Sequence, residues 1–232
     1  MHKALLLAML LSGSPFSWAN IVINGTRVIY PEKNKEVIVQ LVNNGDAPAL
    51  VQSWIDSGDI NSTPETADVP FLLSPPVIKV KANNGQQLRI KKLAASLPND
   101  RESVFFLNIL DIPPTPEHLQ NVNTVQFAIK SRIKLFYRPS TLTGTLDKAI
   151  SRLKVIAENN HFRIVNDSPF HITIANIENR AKQKLLTESL MVSPFAQATT
   201  AVNSPAIKRS QHYQVMYVDD LGAYKTHTVI SQ

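Results

Sequence analysis

Hydrophobic and polar positions alternate at period two through most of the first half of the chain. Val37, Val39 and Leu41 alternate with Ile38, Gln40 and Val42, and Asn43-Asn44-Gly45-Asp46 closes the run as a turn. Ala49 to Ile55, Val77 to Val80, the pair Leu88 and Ile90, and Val104 to Leu110 read as further strands. Thr124 to Tyr137 reads as one long final strand. Clusters such as Ser74-Pro75-Pro76 and Ile112-Pro113-Pro114 punctuate these runs. Seven or so short strands in about 100–120 residues predict an immunoglobulin-like sandwich.

The pattern breaks at Tyr137-Arg138-Pro139, because proline cannot donate to a ladder and restrains the residue before it. Leu146, Ala149, Ile150 and Leu153 then fall at helical spacing, which predicts a short helix or helical turn. Strand-like runs resume at Phe162 to Val165, His171 to Ile177 and Tyr213 to Val218, with Pro194, Asn203-Ser204 and Pro205 between them. The expected organisation is a first domain over residues 20–138 and a second, also mostly β, over 139–232. The first nineteen residues read as a secretory signal: His2 and Lys3 are the basic start, Ala4 to Leu11 the apolar stretch, and Ser17-Trp18-Ala19 the small-residue cleavage site. The mature chain then begins at Asn20.

Composition narrows the chemistry. With 44% hydrophobic and 18% charged residues, the chain can build packed cores and is not a disordered one. It contains no cysteine, so disulfides, zinc-thiolate sites and thiol nucleophiles are excluded. The net charge of +6 is spread over both halves instead of being concentrated in one arm, which is not the distribution of a nucleic-acid-binding module. Seven glycines form no phosphate-cradling loop, neither Gly-x-Ser-x-Gly nor His-Glu-x-x-His occurs, and the histidines of the mature chain have no ligand-like spacing. No cofactor, metal, ATP or nucleic acid is expected, and no catalytic residue. Asp219-Asp220 reads as a turn, given Leu221-Gly222 just after it.

The segment Thr124 to Pro139 is the most informative. Val125, Phe127 and Ile129 form an apolar row at strict period two, while Lys130, Arg132 and Lys134 share the other parity and form a cationic row. Two readings fit. In one, the apolar row faces the domain's own core and the cations protect an edge from pairing. In the other, the strand is an edge lent to another chain, with the apolar row filling the partner's groove.

Several patches together resemble the PapD-like family of periplasmic pilus-assembly chaperones. Thr26-Arg27-Val28-Ile29-Tyr30 resembles the family's first strand. Asn99 to Phe106, running on to Ile112-Pro113-Pro114, resembles its strand F, and Ile133-Lys134-Leu135-Phe136-Tyr137-Arg138-Pro139 the end of its strand G. Met191 to Phe195 and Tyr217 to Gly222 match more loosely. The resemblance implies an all-β protein of two immunoglobulin-like sandwiches set at an angle around a cleft. It implies pilin subunits as clients and an outer-membrane usher as the receiving partner. It places Arg27 and Lys134 on the two cations that grip a client's C-terminal carboxylate, and Val125, Phe127 and Ile129 on the donor positions. Glu102, Arg138 and Asp220 match an inter-domain salt bridge, with Asp219 as a substitute for Asp220. The short stretch from Asp111 to Asn123 resembles the short-loop subclass that serves rod-like pili. Lys134 has the opposite parity to the donor row, so a twist or a bulge is expected to reconcile them. An unpaired donor edge also leads us to expect self-association of the free protein.

Two other functions share parts of this pattern. A standalone secreted immunoglobulin-like adhesive or ligand-binding module would show the same β pattern but would need neither the cation pair nor the donor row. A β-sandwich hydrolase would use Asp219 or Asp220 with a histidine, and its turnover would survive loss of Lys134.

Overall fold

The computed structural model describes residues 21–114, 125–158, 160–202 and 207–232. The expected signal and its cleavage site, most of the loop before the long strand, and the Asn203-Ser204-Pro205 turn lie outside the described residues.

The first half contains β1 (Ile21–Ile23), β2 (Arg27–Pro31), β3 (Val37–Asn43), β4 (Ala49–Asp56), β5 (Phe71–Ser74), β6 (Val77–Val80), β7 (Asn84–Lys92), β8 (Ser103–Ile112) and β9 (Ile129–Arg138). They form two sheets, ordered β1-β3-β7-β5 and β2-β9-β8-β4-β6. The alternation decides which side is buried: Val39 and Leu41 from β3, Leu88 and Ile90 from β7, Leu107 and Ile109 from β8, and Leu135 and Tyr137 from β9 share one core. Burying side chains of this size contributes about 1.5–3 kcal/mol each. That is how the sandwich stands without a disulfide.

The second half opens with α1 (Leu146–Ile150), whose Thr145 hydroxyl accepts from the Lys148 amide at 3.3 Å as an N-cap. It continues with β10 (Lys154–Glu158), β11 (His161–Asn166), β12 (Ile172–Glu178), β13 (Leu190–Val192), β14 (Ala196–Ala201), β15 (His212–Val218) and β16 (Tyr224–Ile230). Its sheets are β10-β11-β14 and β13-β12-β15-β16, closed over Phe162, Ile164, Ile172, Ile174, Tyr213 and Val215. A register irregularity between Ile174 and Asn176 shifts the core positions of β12 to Ile172, Ile174 and Ile177.

One difference from the sequence expectation matters for function. The strand expected from Thr124 begins only at Ile129, and Val125 to Ala128 are not in regular strand. The reason lies in the partner: the β8–β9 ladder ends at Asp111↔Ile129, and the next residues after β8 are Pro113 and Pro114, which cannot donate. On its other side β9 runs parallel to β2, but only from Arg27↔Lys134 to Pro31↔Arg138. Among the described residues, the stretch Ile129 to Ile133 therefore has β8 on one side and an open edge on the other.

Candidate functional site

The register of β2 on β9 puts Arg27 directly opposite Lys134. Val28, Tyr30, Leu135 and Tyr137 point into the core, so the pleat turns Arg27, Lys134 and Phe136 to the opposite face, toward the second domain. There Arg27 and Lys134 border a cleft of about 460 Å³ that also has Arg132, Thr173, Gly222 and Tyr224 in its walls. Arg27 Nη1 donates to the Val218 carbonyl at 3.2 Å, the guanidinium lies 5.6 Å from the Phe136 ring centre, and Nε is buried without a partner. Burial lowers the Arg27 pKa against the opposing charges of Asp220, Asp219 and Glu102. Burial, and then the charge of Arg27, lowers that of Lys134. Among the described residues no carboxylate forms an ion pair with either group. Two half-buried cations side by side, paired to no carboxylate of the described residues, have the chemistry to accept one.

The expected trio stands together at the domain junction. Arg138 Nε donates to Glu102 Oε1 at 2.7 Å, while Nη1 and Nη2 clamp Asp220 at 2.7 and 2.9 Å. The other oxygen of Glu102 accepts the backbone amide of His171 at 2.8 Å, and the Glu102 amide donates to the Pro169 carbonyl at 2.9 Å. Asp219 does not stand in for Asp220. Its carboxylate accepts the amides of Leu221 and Ala223, which closes the turn between β15 and β16. Gly222 in that turn has φ +87°, and a Cβ there would lie 2.2 Å from Thr26 Oγ1. The turn thus seats against the residue preceding Arg27.

The apolar row stands apart from this face. Val125 is 81% exposed and Phe127 77%, both ahead of β9, and Ile129 is half exposed at its first position. The β8–β9 ladder runs without a register shift from Ser103↔Tyr137 to Asp111↔Ile129. The expected bulge is therefore absent from β9, and no reconciliation of direction is needed. Within β9, Ile129 and the cations Lys130, Arg132 and Lys134 have opposite parity on a regular strand, and Val125 and Phe127 precede it.

Reading the sequence missed two features. His171, expected at the surface or in a strand, is buried just before β12 with its ring 5.5 Å from that of Phe136. Arg132 had been grouped with Lys134, but it is closed off: its Nη2 and Nε donate to Asp56 at 2.6 and 3.2 Å, and its guanidinium stacks 3.7 Å from the Phe106 ring centre. Asp56 also accepts from Asn108 at 2.6 Å. The local signal was an aspartate at the end of an apolar strand, which is also what a turn looks like.

A cleft between two immunoglobulin-like sandwiches, walled by open cations and beside an open strand edge, defines a protein built to hold another chain. The comparisons agree. Residues 20–143 match the family model for the N-terminal domain of PapD, described as a pili and flagellar-assembly chaperone. Residues 148–229 match that of the PapD C-terminal domain, a pili assembly chaperone. The chain is 40% identical over 222 residues to the probable fimbrial chaperone YehC of Escherichia coli K12, covering 96% of this chain and 91% of that one. It is 39% identical over 207 residues to the chaperone protein MrkB of Klebsiella pneumoniae, covering 88% of each. The crystal structure of the CupB2 chaperone of Pseudomonas aeruginosa matches with a TM-score of 0.78 at 32% identity, covering 91% of this chain and 100% of that one. The chain belongs to the PapD family of pilus-assembly chaperones. It is a periplasmic chaperone and not an enzyme.

Proposed function

We propose that this chaperone captures pilin subunits by lending them the open edge of β9, anchored by the client's C-terminal carboxylate between Arg27 and Lys134. The observation that carries the reading is the adjacent, half-buried pair Arg27↔Lys134, which among the described residues forms no ion pair with a carboxylate. A carboxylate there gains charge-assisted hydrogen bonds, roughly twice as strong as neutral ones. It also sets the register in which the client runs along Ile129 to Ile133. Val125, Phe127 and Ile129 then fill the groove that the client's missing strand leaves, at about 1.5–3 kcal/mol each before ordering costs. Backbone pairing along the edge adds affinity independent of the client's side chains.

Other elements belong to the same proposal. Glu102, Arg138 and Asp220 hold the angle of the cleft, and the client passes to an outer-membrane usher. On the resemblance of the stretch from Asp111 to Asn123 to the family's short loop, the chaperone belongs to the subclass serving rod-like pili, and without a client the open edge pairs with a second copy. Residues 1–19 are removed on export, leaving an N-terminal domain over 20–138 and a C-terminal domain over 139–232, a start supported by the family match opening at residue 20.

The test is a periplasmic pull-down of tagged chaperone with candidate pilins, comparing wild type with Lys134→Ala and Arg27→Ala. Stoichiometric pilin with wild type, lost by about tenfold or more in each variant at unchanged melting temperature, is the expected result. Parallel loss of circular-dichroism signal would make both residues structural. No pilin with any of the folded proteins would favour the standalone adhesive module.

A further inference from the structure

The even-numbered face of β9 presents three cations in succession, Lys130, Arg132 and Lys134, about 6.5–7 Å apart along the strand. Each is a plausible anchor for a carboxylate on charge alone, and Arg132 lines the same cleft as Lys134. A client anchored at Arg132 would sit two residues out of register. Because side chains repeat at period two, that slip keeps every apolar residue on its proper face while sending it to the wrong pocket. Parity cannot prevent this error.

The structure distinguishes the three cations by their partners. Lys130 Nζ donates to the Ile60 carbonyl at 2.9 Å and lies 5.9 Å from the Trp54 ring centre. Arg132 is held by Asp56 with two donors, and the Asp56 side chain is only 2% exposed. Asp56 lies in the same cross-strand row as Phe106, Lys134 and Arg27 through the pairings Asp56↔Phe106, Phe106↔Lys134 and Arg27↔Lys134. Its carboxylate nevertheless turns to Arg132 and Asn108, away from Lys134. The geometry points to Asp56 as a register-setting residue: it neutralises Arg132, and being occupied by Arg132 it also leaves Lys134 open. This rests on the reading of Arg27 and Lys134 as the carboxylate anchor. Asp56 touches no client itself and acts through Arg132 as a positioning residue.

The test uses a pilin captured by wild type and three chaperone variants: Lys134→Ala, Asp56→Asn with Lys134→Ala, and both with Arg132→Ala. Asparagine keeps the shape and one of the two acceptor oxygens that Asn108 and the Gly58 amide now share, while removing the charge that holds Arg132. Lys134→Ala is expected to lose capture by about tenfold or more, and the double variant to recover part of it, with the client out of register, because Arg132 becomes available. The triple variant is expected to lose it again. Capture that survives Lys134→Ala alone sinks the anchor reading. Capture lost with Lys134→Ala and not regained in a folded double variant overturns the role of Asp56. Should the Asp56 substitution fail to fold, an acetate titration of wild type followed by the arginine Nε–H resonances decides the matter. Arg27 is expected to respond and Arg132 to stay silent, whereas equal responses overturn the proposal.

Discussion

Arg138 and Lys134 sit four positions apart on one face of one strand, and both are withdrawn from water, yet the protein treats them in opposite ways. Arg138 is closed. Burial pulls its pKa down, but the hydrogen bonds it donates to Asp220 and the charges of Glu102 and Asp220 more than reverse that, and the net shift is upward. Lys134 meets burial and the like charge of Arg27 with no carboxylate of its own, and its shift is downward. A finished ion pair fixes geometry; an unfinished one costs stability in the free protein and returns it when an anion arrives. On the proposed function, the difference separates the part of the cleft that is scaffold from the part that is receptor.

The largest expected effect comes from opening the closed site. Arg138→Ala leaves Glu102, whose side chain is 1% exposed, without its cation, and about 3–5 kcal/mol of stability should be lost in denaturant melts. The same variant should change the angle between the domains in small-angle scattering. A melt unchanged within error would mean that the trio is ornamental and the contrast with Lys134 false.

A smaller loss is expected at the turn that seats Val218 beside Arg27. Gly222→Ala places a Cβ against Thr26 at a positive φ, so about 1–3 kcal/mol should go, and client capture should fall with it. Tolerance of alanine at both stability and capture would show that the turn does not position Arg27.

Completing the comparison from the other side, Lys134→Met keeps the apolar stem and removes the unpaired charge. It should stabilise the free chaperone by about 0.5–1 kcal/mol, the discount reflecting partial exposure, or about 1–3 °C in melting temperature. It should also abolish capture. The sign in pH follows: the folded Lys134 pKa lies below the unfolded value of 10.5, so the unfolded chain holds more protons between the two. This group therefore makes stability rise with pH through that window, a rise the methionine variant should lack.

Tyrosine acts in the opposite sense at the alkaline end. Burial and then the hydrogen bond to Glu32 push Tyr137 up to about 12, and burial with Asp147 does the same to Tyr217. Their folded pKa values exceed the ordinary 10.0, so their contribution is intact below about pH 10 and is lost as pH rises through about 12. Tyr137→Phe should flatten part of that fall, read by alkaline thermal melts; an unchanged slope would remove Tyr137 as its source.

Much of this was legible in the sequence because the relevant pattern is local. Period-two alternation located β3, β4, β6, β8 and the core end of β9, and the spacing of Leu146, Ala149 and Ile150 located α1. Strands without a local pattern were not legible. β1 and β13 are three residues long, β14 is built from Ala, Gln and Thr, and β16 is an edge on which Val229 is the buried position. Where β9 begins could not be read because it depends on Pro113 across the sheet and not on Val125 to Ala128 themselves. The closure of Arg132 was hidden for the same reason: Asp56 is 76 residues away. His171 likewise meets Glu102 across 69 residues. Local alternation tells which face a side chain takes; only tertiary pairing tells whether its charge is already answered.

Calorimetric titration of the purified chaperone with the C-terminal segment of a captured pilin, prepared once as the free carboxylate and once as the amide, decides whether Arg27 and Lys134 form a carboxylate receptor. Binding weaker by about tenfold or more for the amide, with that difference erased in Lys134→Ala, is the predicted result. Equal affinity of wild type for the two peptides would contradict it.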